Sequence, residues 1–192
     1  MKNQPLIILF FLLPGLSCTE TIIGPSSGAN LLTNPTFEWN SVPSLYGWTV
    51  SDTTGMQFST DVPPGGSGKS ILLPPMGFPE SPEGAVYQII PASEGSHKYM
   101  ISVFGKTTES FLATHFFLGS VGIVLNRPGG SNTTNLPGIT VADTMWKFYF
   151  RIDTINAVAG DTIFVTISGG ACEVCPIAAT TSFNTCKFEK LD

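Results

Sequence analysis

The chain has 192 residues, room for one domain on a scale of roughly 100 to 200 residues each, and its 9 Lys and Arg against 14 Asp and Glu leave a formal net charge of −5. That balance supplies no basic surface for a phosphate backbone, so nucleic acid is not an expected partner. Only 12% of residues are charged, Gly 20 and Pro 15 break up the sequence, and the hydrophobic share is 42% with 14 Phe; long helices and disorder are both disfavoured, and an all-β globule is expected.

Residues 1–17 have the three-part layout of an export signal peptide: Lys2, the apolar run Leu6–Leu13, then Pro14-Gly15 and a small-residue end. As a helix that run would span about 12 Å, well short of the roughly 20 residues that a bilayer requires. The end resembles a bacterial lipoprotein signal, with Ser17 ahead of a lipidated Cys18, although Gly15 stands where a larger aliphatic residue is usual. Gly15 and Ser17 also satisfy the small-x-small rule of ordinary cleavage. The first route holds an exported chain to the cell surface or periplasmic membrane through a lipid on Cys18; the second secretes it. Residues 18–29, with Gly24-Pro25-Ser26-Ser27-Gly28, read as a flexible tether, and residues 30–192 as the folded domain.

From Asn30 onward, short apolar runs recur between turn clusters: Asn30–Glu38, Gly47–Ser51, Met56–Thr60, Lys69–Leu73, Ala85–Ile90, Tyr99–Gly105, Leu112–Leu125 with a break near Gly119, Trp146–Ile152, Thr162–Ser168 and Ser182–Leu191. They predict about ten strands, several alternating as half-buried antiparallel strands do, and hence a sandwich or barrel. Export would place Cys172, Cys175 and Cys186 in an oxidising compartment. A bridge from Cys186 to Cys172 or Cys175 is expected, pinning the last strand to the preceding loop. Cys172-x-x-Cys175 lacks the helix of a redox motif and the second ligand pair of a zinc site.

The order of landmarks carries a resemblance. Asn30-Leu31-Leu32-Thr33-Asn34-Pro35-Thr36-Phe37-Glu38, then Tyr46-Gly47-Trp48, Gly68–Leu73, Gly84–Ile90, Lys98–Lys106, Trp146–Phe150 and Ser182–Glu189 resemble, in sequence order, carbohydrate-binding modules of the galactose-binding-like jelly roll. The resemblance implies an antiparallel β-sandwich and a polysaccharide or glycan as partner. It also implies a structural calcium between the first and last strands, with Glu38 as one ligand and Asn184 where the family carries an aspartate. A neutral amide at Asn184 implies lower affinity, since calcium prefers charged oxygen; Glu38 alternatively caps a turn or pairs with Lys187.

Sugar recognition uses aromatic faces and a few amide or carboxyl groups. Trp39, Tyr46, Phe78 and Tyr87 are the aromatics not committed to strand interiors, and Tyr46, Phe78, Tyr87 and Gln88 are the expected ligand contacts. The resemblance implies core positions for Trp48 and Trp146. Gly24–Gly28 spells a nucleophile-elbow string inside the tether, and Pro63–Ser70 approximates a phosphate loop without its helix; both lack the context their chemistry demands. Glu80 and Glu83 share a proline-rich loop, and His97 and His115 are the two histidines, but neither pair builds a catalytic arrangement. The expected function is therefore non-catalytic glycan binding. The alternative is an exported surface protein that uses the same sandwich for protein interaction or envelope structure.

Overall fold

The computed structural model describes residues 28–51, 55–74, 76–77, 85–108, 116–129, 133–172 and 180–192. Among them there is no helix. In chain order the strands are β1 (Glu38–Trp39), β2 (Val42–Pro43), β3 (Thr49–Val50), β4 (Gln57–Ser59), β5 (Ser70–Leu73), β6 (Met76–Gly77), β7 (Ala85–Pro91) and β8 (Gly95–Thr107). They continue with β9 (Phe116–Phe117), β10 (Ser120–Asn126), β11 (Thr133–Thr140), β12 (Lys147–Ala157), β13 (Thr162–Ser168), β14 (Ala171–Cys172) and β15 (Thr181–Lys190).

Two five-stranded sheets, ordered β11-β10-β13-β7-β3 and β12-β8-β15-β5-β4, form the sandwich, and every pairing within them is antiparallel. Period-2 alternation decides which side chains meet between them. In β13, Ile163, Val165 and Ile167 are buried while Thr162, Phe164, Thr166 and Ser168 face outward and are half-buried. Val121, Ile123 and Leu125 of β10 and Val86 and Ile90 of β7 join them in one core with Ile71, Ile101, Val103, Phe183 and Phe188 of the opposing sheet. Each such side chain contributes about 1.5 to 3 kcal/mol on burial.

Three departures from the sequence reading have local causes. β11 is absent from the expected strands, and its Pro137 and Gly138 are residues that disfavour a strand interior; as an edge strand it tolerates a missing N–H, and the pairing with β10 slips between Val121 and Ile123. Asn30–Glu38 is an irregular segment instead of a strand, joined to the last strand by the Asn30–Glu189 bridge and by Leu31 N–H to the Phe188 carbonyl at 2.8 Å. Trp146 is not a core residue. It is half-buried on the outward side, its Nε1–H donating to Asp61 Oδ1 at 3.0 Å with the Lys106 ammonium 5.2 Å from the ring centroid. Trp48 is buried as expected, its ring centroid 5.4 Å from that of Phe37 and its Nε1–H donating to the Asn34 carbonyl at 3.0 Å.

The expected bridge to Cys186 is corrected. Cys186 is a free, fully buried thiol, because the register slip of β15 between Asn184 and Lys187 turns it into the core between Phe183 and Phe188. Burial pushes its pKa up to about 12. Cys172 lends its backbone to β14, while Cys175, like Cys18 and the lipid it is expected to carry, lies outside the described residues.

Candidate functional site

The five strands β3, β7, β10, β11 and β13 contain no Asp, Glu, Lys, Arg or His. The opposing sheet carries many, for example Lys98, Lys106, Arg151, Asp153, Lys187 and Glu189. A solvent-side sheet face normally takes up charge readily, so this asymmetry singles out the outer face of the first sheet. Its centre is defined by register. Tyr87 pairs with Thr166 on one side and Thr49 on the other, and Phe164 pairs with Val124 and Ile89. The Tyr87 and Phe164 rings lie 6.0 Å apart, tilted by 31°. Around them stand hydroxyl groups of Thr162, Thr166 and Ser168, with Ser120 and Ser168 sharing a hydrogen bond at 3.0 Å.

Of the residues expected to touch ligand, Tyr87 belongs to this face. Gln88, the next residue on the same strand, points the other way. It is 6% exposed, its Oε1 accepting from Thr33 N–H at 2.9 Å and its Nε2 donating to the Thr33 carbonyl at 2.7 Å. That amide fastens the irregular 30–38 segment to β7 and is buried on the core side of the sheet. Tyr46 is 56% exposed and its ring centroid lies 4.2 Å from that of Trp39, itself 44% exposed. Trp39 belongs to the β1–β2 hairpin, and the turn bearing Tyr46 runs into β3, whose Thr49 is the cross-strand partner of Tyr87. Phe78 lies outside the described residues, as do Glu80, Glu83 and His115.

Phe164 was missed, although its signal was present: in Thr162-Ile163-Phe164-Val165-Thr166-Ile167-Ser168 it occupies the hydroxyl-bearing phase of the alternation. A groove of about 360 Å³ lies elsewhere, between the edges of β11 and β12 beside Phe150 and Arg151, and includes none of the expected ligand contacts.

No protein-family model matches the sequence, and a search of curated proteins finds no match. Solved structures do match in shape. A family 16 carbohydrate-binding module superposes with a TM-score of 0.55 at 19% identity, over 83% of this chain and 99% of that one. The chain has the fold of a carbohydrate-binding module. The same fold recurs as a part of larger proteins: the enzymatically active domain of bacteriophage CBA120 tailspike protein 4, at a TM-score of 0.56 and 15% identity, covers 84% of this chain but only 21% of its own. A Clostridium thermocellum xylanase fragment solved with xylohexaose matches at 0.51 and 11% identity, over 82% of this chain and 28% of that one. This chain thus spans less than a third of either protein.

The residues expected to hold calcium do not fit a cation at Asn184. Its Nδ2 donates to the Ser67 and Lys69 carbonyls at 3.1 and 2.9 Å, so an N–H edge, and not a charged oxygen, meets the carbonyls that a cation would bridge. Among the described residues no group of three or more His, Cys, Asp or Glu side chains is placed to hold one.

Proposed function

We propose that this chain is a non-catalytic, exported module that binds a neutral polysaccharide on the outer face of β11-β10-β13-β7-β3. The observation that carries this reading is the charge-free surface itself, with Tyr87 and Phe164 at its centre and hydroxyl side chains around them. A neutral sugar chain offers C–H faces that lie against aromatic rings and hydroxyls that exchange water for protein hydrogen bonds at little net gain, so affinity comes mainly from the rings. Absence of charge on the protein side avoids desolvating an ion that a neutral ligand could not repay. The exposed Trp39–Tyr46 pair, just ahead of β3 in the chain, offers a second aromatic surface to the same kind of ligand.

In this reading the lipid on Cys18 and the 18–29 segment hold the sandwich off the membrane, and intact-mass analysis of the exported protein tests that part. An unmodified N-terminus, or one starting elsewhere, removes the anchor from the proposal. The binding itself is tested by affinity electrophoresis through gels containing xylan, galactan, mixed-linkage glucan or a polyuronate. Retardation by a neutral polymer supports the reading. Retardation by the polyuronate alone, or by none of the four, goes against it.

A further inference from the structure

Asn184 sits where the chain crosses itself. The side chain is 0% exposed; Nδ2 reaches the Ser67 and Lys69 carbonyls, and Oδ1 accepts from Thr185 Oγ1 at 2.6 Å. The stretches it joins are also tied to the 34–38 segment through the backbone, Lys69 N–H to the Thr36 carbonyl and Cys186 N–H to the Pro35 carbonyl, both at 2.9 Å. Gly68 passes so close to Thr36 that an added Cβ would lie 2.6 Å from the Thr36 carbonyl oxygen.

The junction also concentrates unfavourable backbone. Phe37 and Thr185 adopt φ of 52° and 49°, left-handed values that a bulky or β-branched residue avoids and that persist only where surrounding contacts over-determine them, while Asn34, at 50°, is of a type that tolerates the region. Turn carbonyls brought together inside a protein need an electropositive partner, either N–H groups or a hard cation. The geometry points to the Asn184 amide as that partner: it stands in the place of a bound cation, so the junction closes without calcium, and an aspartate in its place would turn the same position into a calcium site. The two N–H groups of Nδ2 satisfy the Ser67 and Lys69 carbonyls, and Oδ1, which accepts from Thr185, is a neutral oxygen, so the side chain brings no charged ligand to a metal. The carboxylate introduced by Asn184→Asp would instead face those two carbonyls, oxygen against oxygen with no hydrogen between them, and would require a cation.

The test does not depend on glycan binding. Thermal unfolding of the wild-type chain is followed in excess EDTA and in millimolar calcium, beside Asn184→Asp under the same conditions. Wild-type Tm is expected to agree within about 1 °C between the two buffers, whereas the Asn184→Asp variant should melt at least about 5 °C lower in EDTA and recover in calcium. A wild-type Tm that falls with chelator and returns with calcium overturns the proposal, and so does a variant indifferent to calcium. If the variant folds in neither buffer, calorimetric titration of calcium into the EDTA-stripped wild type decides: no heat of binding upholds the metal-free closure, and a saturable heat overturns it.

Discussion

Gln88→Leu separates a structural amide from a ligand contact at a residue adjacent to the proposed binding surface. The substitution keeps most of the side-chain volume in a position that is 6% exposed and removes two hydrogen bonds to Thr33, at 2.9 and 2.7 Å. At about 1 kcal/mol net for each bond, the loss is about 2 kcal/mol. Thr33 itself is exposed, so water replaces part of what its backbone loses, which keeps the cost from rising toward the penalty of a fully orphaned pair. For a domain of this size the corresponding drop in Tm is about 4 to 8 °C. Scanning calorimetry gives that shift, and affinity electrophoresis on the folded variant shows retardation by glycan unchanged, because Gln88 faces the core side of β7. Wild-type stability together with abolished retardation would refute the assignment and return Gln88 to the ligand surface.

Trp48→Ala should cost about 3 to 5 kcal/mol as a core deletion, and Trp146→Ala about 1 kcal/mol through loss of a surface hydrogen bond and a cation–π contact; urea unfolding of both variants checks the order, and equal costs would contradict it. Asp161 has its pKa lowered by the hydrogen bond from Arg127 and by the Val158 N–H, so the stabilisation this contributes is complete above the ordinary value of 3.8 and is lost as pH falls through the lower folded value. The Tm gap between wild type and Asp161→Asn should therefore narrow on acidification toward pH 3, about where carboxylates titrate, and a gap that does not vary with pH contradicts the pairing. Cys186, with its pKa pushed up to about 12 by burial, should be inert to a thiol reagent at neutral pH in the native chain and react once the chain is unfolded; rapid labelling of Cys186 in native protein, read by peptide mapping, contradicts its place in the core.

The sandwich was legible because alternation in segments such as Thr162–Ser168 states both the strand and its buried phase, and because turn clusters separate those segments. β11 was hidden by Pro137 and Gly138, whose local preference for turns is overridden at a sheet edge where the missing N–H faces no partner. The site was legible in part. Tyr87 was found, but naming Gln88 beside it conflicts with the two-residue period of a strand, which sends neighbours to opposite faces. Phe164 could have been found by asking which aromatic shares a phase with Thr and Ser. Cys186 and Trp146 were misplaced for a different reason: a register slip inside β15 and the partners Asp61 and Lys106 are set by tertiary pairing, and no local pattern encodes them.

The most direct test of a neutral aromatic binding face is calorimetric titration of the retarding polysaccharide into wild type, Tyr87→Ala and Phe164→Ala, with Tm measured on the same samples. The account predicts saturable binding by wild type and a loss of about 1 to 3 kcal/mol for each variant, the usual range for a truncated contact aromatic. Both rings lie outside the core, so the Tm of the variants should stay close to that of wild type. Undiminished affinity in both variants, or binding by wild type to charged glycans alone, would contradict it.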